Sequence, residues 1–121
     1  MNPQILIADD SDSTRRTLKT LLELHNYDVV AEAKDGDQAV TLYKELQPEL
    51  VLMDIAMPKK HGIDAIKEIL AINHDAKIIA VTALYSQENV IRIMDAGVKA
   101  LVMKPFDVSK LIKTIQDVIA S

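Results

Sequence analysis

Three carboxylates, a hydroxyl and an ammonium stand at the ends of short apolar runs in this 121-residue chain. The acid pair Asp9-Asp10 follows Ile5-Leu6-Ile7-Ala8, and Asp54 follows Leu50-Val51-Leu52-Met53. Thr82 follows Ile78-Ile79-Ala80-Val81, and Lys104 follows Leu101-Val102-Met103. If the runs are parallel strands of one sheet, all five positions gather at the same edge. Such a set would repel, attract and hold a cation, and few structural needs explain it. An all-oxygen ligand set selects hard Mg²⁺ or Mn²⁺, and Mg²⁺ usually takes one or two carboxylates plus waters and phosphate oxygens. A strand-end carboxylate can also attack phosphorus and form an acyl phosphate.

The elements needed to position these groups are legible as alternating patterns. After the first strand, Thr14, Leu18, Leu21, Leu22 and His25 fall on one helical face, with Ser11 or Ser13 placed to cap it. A more mixed strand, Asp28 to Ala33, is broken by Asp35-Gly36, and a second helical face from Ala39 to Leu46 is stopped by Pro48. Pro58 and Gly62 bracket a loop before a third helix with Ile63, Ile66, Ile69 and Leu70. A strand from Lys77 to Val81, a helix from about Ser86 to Ala96 and a strand from Ala100 to Met103 follow. Gly97 fits a helix C-terminal cap, and Asp107 caps a last helix striped by Leu111, Ile112, Ile115, Val118 and Ile119.

Five strands alternating with five helices predict an α/β fold, a doubly wound five-stranded parallel sheet with helices on both faces. Right-handed crossovers put every strand's carboxyl end on one side, where open sheets of this class bind ligands. One domain spanning 1–121 is expected at 13.4 kDa.

Each residue also has a plainer reading. Asp9 and Asp10 serve either as turn and cap residues or as cation ligands, and two adjacent acids after an apolar strand favour the second, with Asp10 able to do both. Asp54 is either a loop acid or a nucleophile. Thr82 either satisfies a strand-end backbone group or donates to a phosphoryl oxygen. Lys104 is either a solvated charge or, with the extended backbone that Pro105 imposes, an ammonium that a cis Lys-Pro bond would aim into the cleft. His25, His61 and His74 lack ligand spacing. Met53, Met57, Met94 and Met103 read as core fillers or loop packing, and Tyr27 and Tyr43 as helix-to-sheet packing.

The totals exclude several classes. Without cysteine there is no disulfide, thiolate catalysis or thiolate metal site. A net charge of -4 opposes a nucleic-acid-binding surface on this segment. Three glycines form no phosphate-binding loop. No apolar run has membrane-spanning length, and Met1-Asn2-Pro3-Gln4 lacks the start of a signal peptide, so a cytoplasmic protein is expected.

Taken together, Asp9-Asp10, Asp54 with Met57-Pro58, Thr82-Ala83 and Lys104-Pro105-Phe106 resemble the signature of the receiver (CheY-like) domain of two-component response regulators. The resemblance spans the whole chain, with the motifs in order and register. It implies the flavodoxin-like strand order 2-1-3-4-5, for which the family is a standard example. It also implies that Asp54 accepts a phosphoryl group from a sensor histidine kinase. Asp10, Asp54 and the backbone carbonyl of Ala56 would ligate Mg²⁺, with Asp9 acting mainly through a bound water. Thr82 and Lys104 would then bind phosphoryl oxygens, and the signal would leave through the α4-β5-α5 face.

By the same resemblance the protein is a switch, not an enzyme acting on a separate substrate, and works as a monomer or a phosphorylation-dependent dimer. Its output would be a downstream protein or a detached output domain. One departure is Leu101, which occupies a position where receivers usually carry Tyr or Phe, so an aromatic rotamer switch there is absent; Tyr85 is more simply a loop cover. Ala56 and Leu84, at positions that tune dephosphorylation in the family, cannot orient an attacking water. Two other classes compete. A phosphate-independent interaction module is opposed by the intact acid set and Lys104. An Asp-nucleophile phosphatase of the haloacid-dehalogenase type wants a second Asp where Ala56 stands.

Overall fold

The computed structural model describes residues 2–83 and 86–121. Its elements run β1 (Gln4–Ala8), α1 (Asp12–Leu24), β2 (Asp28–Ala33), α2 (Gly36–Leu46), β3 (Leu50–Asp54), α3 (Gly62–Ile72), β4 (Ile78–Thr82), α4 (Gln87–Asp95), β5 (Ala100–Met103) and α5 (Val108–Ala120). All strand pairs are parallel, in the order β2-β1-β3-β4-β5. The alternation read in the sequence therefore folds as the doubly wound sheet it predicts. No helix among the described residues is long and apolar enough to cross a membrane.

Each strand sends alternate side chains to opposite faces, which divides the interior in two. Leu6, Val51, Met53, Ile78 and Ala80 meet Ala39, Tyr43, Ile66, Ile69 and Ile93 from α2, α3 and α4. Ile5, Ile7, Leu50, Leu52, Ile79 and Val81 meet Leu18, Leu22, Leu111 and Ile115 from α1 and α5. The central strands β3 and β4 are buried throughout, as a strand covered on both faces must be. Burying one such Leu or Ile side chain is worth about 1.5–3 kcal/mol.

Helix starts follow cap chemistry. Ser11, Asp35, Ser86 and Asp107 each accept a hydrogen bond from the backbone N–H three residues on. Ser11 rather than Ser13 or Asp10 caps α1. His61 caps α3 through Nδ1, which accepts from the Ile63 N–H at 3.2 Å. Gly97 follows α4 with φ of 109°, a conformation that glycine reaches without strain.

Three expectations are corrected. His25 lies outside the apolar face of α1 as its exposed C-cap, while Arg15, near the other end of the helix, joins Leu18 and Leu22 as a buried residue. Met94 and Met103 are not core fillers: they are 43% and 47% exposed, whereas Met53 and Met57 are buried. Physically, α4 turns only Ile93 fully inward, which leaves Ile91 and Met94 on its outer side. Tyr85, expected as a loop cover, and Leu84 lie outside the described residues.

The loop between β3 and α3 is set by close backbone approach. A Cβ on Gly62 would lie 2.5 Å from the Asp54 carbonyl oxygen and 2.6 Å from Ile55 Cα. Both neighbours are backbone and cannot swing aside. Gly62→Ala is therefore expected to lower unfolding stability by about 1–3 kcal/mol and to displace the end of β3. Urea denaturation with amide shifts of Asp54 and Ile55 checks this, and a wild-type midpoint would contradict it.

Candidate functional site

The strand order reverses at β1 and β3, whose outward connections diverge and open a crevice at their carboxyl ends. Ala8 pairs with Met53, so Asp9 and Asp54 emerge side by side there. Asp54 pairs with Val81 and Thr82 with Met103, which carries the row on through Thr82 to Lys104. One carboxylate oxygen from each of Asp9, Asp10 and Asp54 lies within 4.8 Å of the others. Lys104 Nζ donates to Asp9 Oδ2 at 2.8 Å and lies 3.6 Å from Asp54 Oδ2. All five strand-end residues singled out in the sequence are thus brought to one edge.

Their environments differ. Asp9, Asp54 and Thr82 are buried, while Asp10 is exposed. Asp9 is held through both carboxylate oxygens: Oδ1 accepts from the Ser11 N–H at 2.9 Å and Oδ2 from Lys104. Asp54 Oδ1 accepts from the Ala56 N–H at 3.3 Å. The Ala56 side chain is exposed and offers no polar group. Lys104 reaches the site from the end of β5, and the bond that follows it, Lys104-Pro105, is cis.

Burial, together with the neighbouring Asp9 charge, pushes the Asp54 carboxyl up to about 6; the Lys104 ammonium, the Ala56 N–H and Asp10 act on it more weakly. Burial works against the Lys104 ammonium. The hydrogen bond to Asp9 and the charges of Asp54 and Asp9 outweigh it and keep the group above the usual lysine value. The site is therefore short of positive charge. Among the described residues Lys104 pairs with two of the three clustered carboxylates, Asp9 and Asp54, in an all-oxygen donor set that suits a hard divalent cation.

Two groups near the site were not picked out by sequence pattern. Arg15 is buried and donates to the Asp9 carbonyl oxygen. Its spacing to Leu18 and Leu22, three and seven residues on, was the signal that places it on the inward face. Asp35 is buried as the N-cap of α2, and Gln38, three residues on, accepts from the Lys34 N–H at 2.9 Å. That Asp-x-x-Gln spacing is a capping-box signal.

Strand order, switch-point acids and a lysine closing the row define a CheY-like receiver architecture. The response regulator receiver domain profile matches residues 5–116. Chemotaxis protein CheY of Thermotoga maritima is 43% identical over 118 residues, covering 98% of this chain and 98% of that protein. Chemotaxis protein CheY of Bacillus subtilis is 44% identical over 115 residues, covering 95% and 96%. A crystal structure of a CheX–CheY–BeF3–Mg²⁺ complex from Borrelia burgdorferi matches with a TM-score of 0.91 at 30% identity, covering 95% of this chain and 87% of that chain. The chain belongs to the response regulator receiver domain family of two-component signalling.

The raised Asp54 value has a stability consequence. The folded protein holds the proton more tightly than the unfolded chain, so this group's stabilising contribution is complete below about pH 4 and is lost as pH rises through about 6. In divalent-free buffer, Asp54→Asn should be more stable than wild type at pH 8 by about 1–2 kcal/mol, a figure reduced for the solvent-reached edge. The gap should close as pH falls toward 4. Urea midpoints across that range decide it, and a gap of constant size would contradict the raised value.

Proposed function

We propose that residues 1–121 form one receiver domain that acts as a phosphorylation-controlled switch, with Asp54 as phosphoacceptor for a sensor histidine kinase. The observation that carries this reading is the Asp9–Asp10–Asp54 cluster with Lys104 bridging Asp9 toward Asp54. An Asp54 oxygen attacks the phosphorus of a phosphohistidine, the P–N bond breaks, and its electron pair returns to the imidazole. Mg²⁺ would be held by Asp10, Asp54 and the Ala56 carbonyl, with Asp9 acting through water. It would neutralise charge spread over the phosphoryl oxygens. Lys104 supplies the fixed positive charge on the opposite flank, and Thr82 the hydroxyl for one oxygen. The domain then catalyses only its own phosphoryl transfer and hydrolysis. Its family relatives named CheY are chemotaxis proteins, which supports a cytoplasmic signalling role, with a downstream protein or a detached output domain as its target.

The output face in this reading is α4, β5 and α5. Ile91, Met94, Met103 and Val108 expose apolar surface on those elements. A groove of about 370 Å³ lined by Leu101, Met103, Phe106, Lys110 and Thr114 lies between β5 and α5. Thr82 and Lys104 end the two strands that border that side, and the Lys104 N–H donates to the Thr82 carbonyl at 2.8 Å. Leu101 is half-buried against the core that includes Ile93, so the usual aromatic toggle has no counterpart at this position.

Incubation with a small phosphodonor and Mg²⁺ should add one phosphoryl group to the wild type, and Asp54→Asn should take up none. Mass spectrometry reads this, and uptake by the variant at the wild-type rate would remove Asp54 from the role. Asp10→Ala should lose most divalent affinity and Asp9→Ala less.

Ala56 cannot orient a hydrolytic water, so the phosphorylated form should outlast that of Ala56→Asn. The companion expectation for Leu84 lies outside the described residues. Decay in wild type as fast as in the Asn variant would contradict it.

A further inference from the structure

Arg15 is a buried charge that the phosphoryl-transfer chemistry leaves unused. A guanidinium withdrawn from water is costly unless its donors are paired, and here three of its nitrogens are. Nη1 donates to the Asp9 carbonyl oxygen at 2.6 Å, Nε to Glu32 Oε1 at 3.2 Å, and Nη2 to Asp12 Oδ1. One planar fork thus joins the start of α1, the edge strand β2 and the end of β1. The Asp12 carboxyl is held below the usual carboxylate range by that hydrogen bond and by the Arg15 charge.

The oxygen that Arg15 grips belongs to the peptide linking Asp9 to Asp10. A peptide unit is planar, so fixing its oxygen also fixes the direction in which the Asp10 Cα leaves the strand end. The other side of Asp9 is fixed as well, because its N–H donates to the Ala33 carbonyl at 3.0 Å. With the side chain held by Ser11 and Lys104, Asp9 is an anchored residue. Asp10, which is exposed, follows directly on that anchor.

We propose that Arg15 is a positioning residue for the acid site: braced on Glu32 and Asp12, its guanidinium holds the Asp9–Asp10 peptide plane and so sets the Asp10 carboxylate for cation binding. This rests on the reading of Asp9, Asp10 and Asp54 as the divalent site. Lysine retains the charge but not the fork, because an ammonium is a compact point donor. Arg15→Lys therefore separates charge from geometry. Glu32 stands on the edge strand, with its side chain 36% exposed, and Glu32→Ala loosens the brace without touching an acid of the site.

The test uses wild type, Arg15→Lys and Glu32→Ala, each shown folded by urea titration at the working temperature. Two quantities are read: the Asp10 amide ¹⁵N shift in metal-free protein, and Mn²⁺ affinity from the electron paramagnetic resonance of free Mn²⁺. In Arg15→Lys the Asp10 shift should move and Mn²⁺ affinity should fall about tenfold, as losses behind a metal ligand commonly do. Glu32→Ala should move both the same way by less. A folded Arg15→Lys with the wild-type Asp10 shift and wild-type affinity would overturn the proposal. If Arg15→Lys does not fold, an unmoved Asp10 shift and unchanged affinity in Glu32→Ala would overturn it equally. Failure of wild type to bind Mn²⁺ would sink the divalent reading, and the metal-free Asp10 shift would still show whether Arg15 holds the peptide.

Discussion

Repulsion among carboxylates at the end of a sheet is the constraint on which the rest of the structure depends. Asp9 and Asp54 are buried beside each other with Asp10 close by, and like charges at such spacing resist joint ionisation. Lys104, 95 positions from Asp9 in the chain, is the internal answer. Its ammonium crosses from β5 to reach β1, past the two strands between them. The sheet must therefore keep its full width and register for the acids to be tolerated. The ammonium that quiets Asp9 also lies within reach of Asp54, 3.6 Å from its Oδ2.

Most of the architecture was legible because the chain separates its signals cleanly. Ile78-Ile79-Ala80-Val81 and Leu50-Val51-Leu52-Met53 are too short and too uniformly apolar to be anything but strands buried on both faces once turns bound them. The strand-end acids, threonine and lysine were visible for the same reason, as polar residues interrupting those runs. What sequence pattern missed was polar burial inside helices. Arg15 gave no sign of burial, because charge is the default predictor of exposure. Its pairing with Glu32 spans 17 positions and has no local signature. Met94 and Met103 failed in the opposite sense. Hydrophobicity suggested burial, while Met94 lies on the outer side of α4 and Met103 ends the edge strand β5.

The β3–α3 loop shows how the sheet edge is kept from drifting. Lys59 adopts φ of 64°, a left-handed conformation costly for a side-chain-bearing residue, while its ammonium lies 3.6 Å from the buried Asp35 carboxylate. Lys60 pairs with Asp37 and Glu68, and its carbonyl lies against Gly36 with no room for a Cβ. The segment carrying Ala56 thus hangs between the starts of α2 and α3. Two lysines do here what a longer apolar contact would do elsewhere, and they keep the loop wettable.

The two separate cores also bear on how such a chain can diverge. The sheet is a wall: among the described residues, side chains of α1 and α5 do not join those of α2 and α3 in either core cluster, and both clusters are built on the same strands. Repacking one side therefore leaves the other unaware of it except through strand position, and substitutions on opposite faces combine nearly additively. A lineage can recut the α5 side, with its exposed Met103 and Val108, through many neutral steps. The face buried by Tyr43, Ile66 and Ile69 can meanwhile go on holding the acid edge in register.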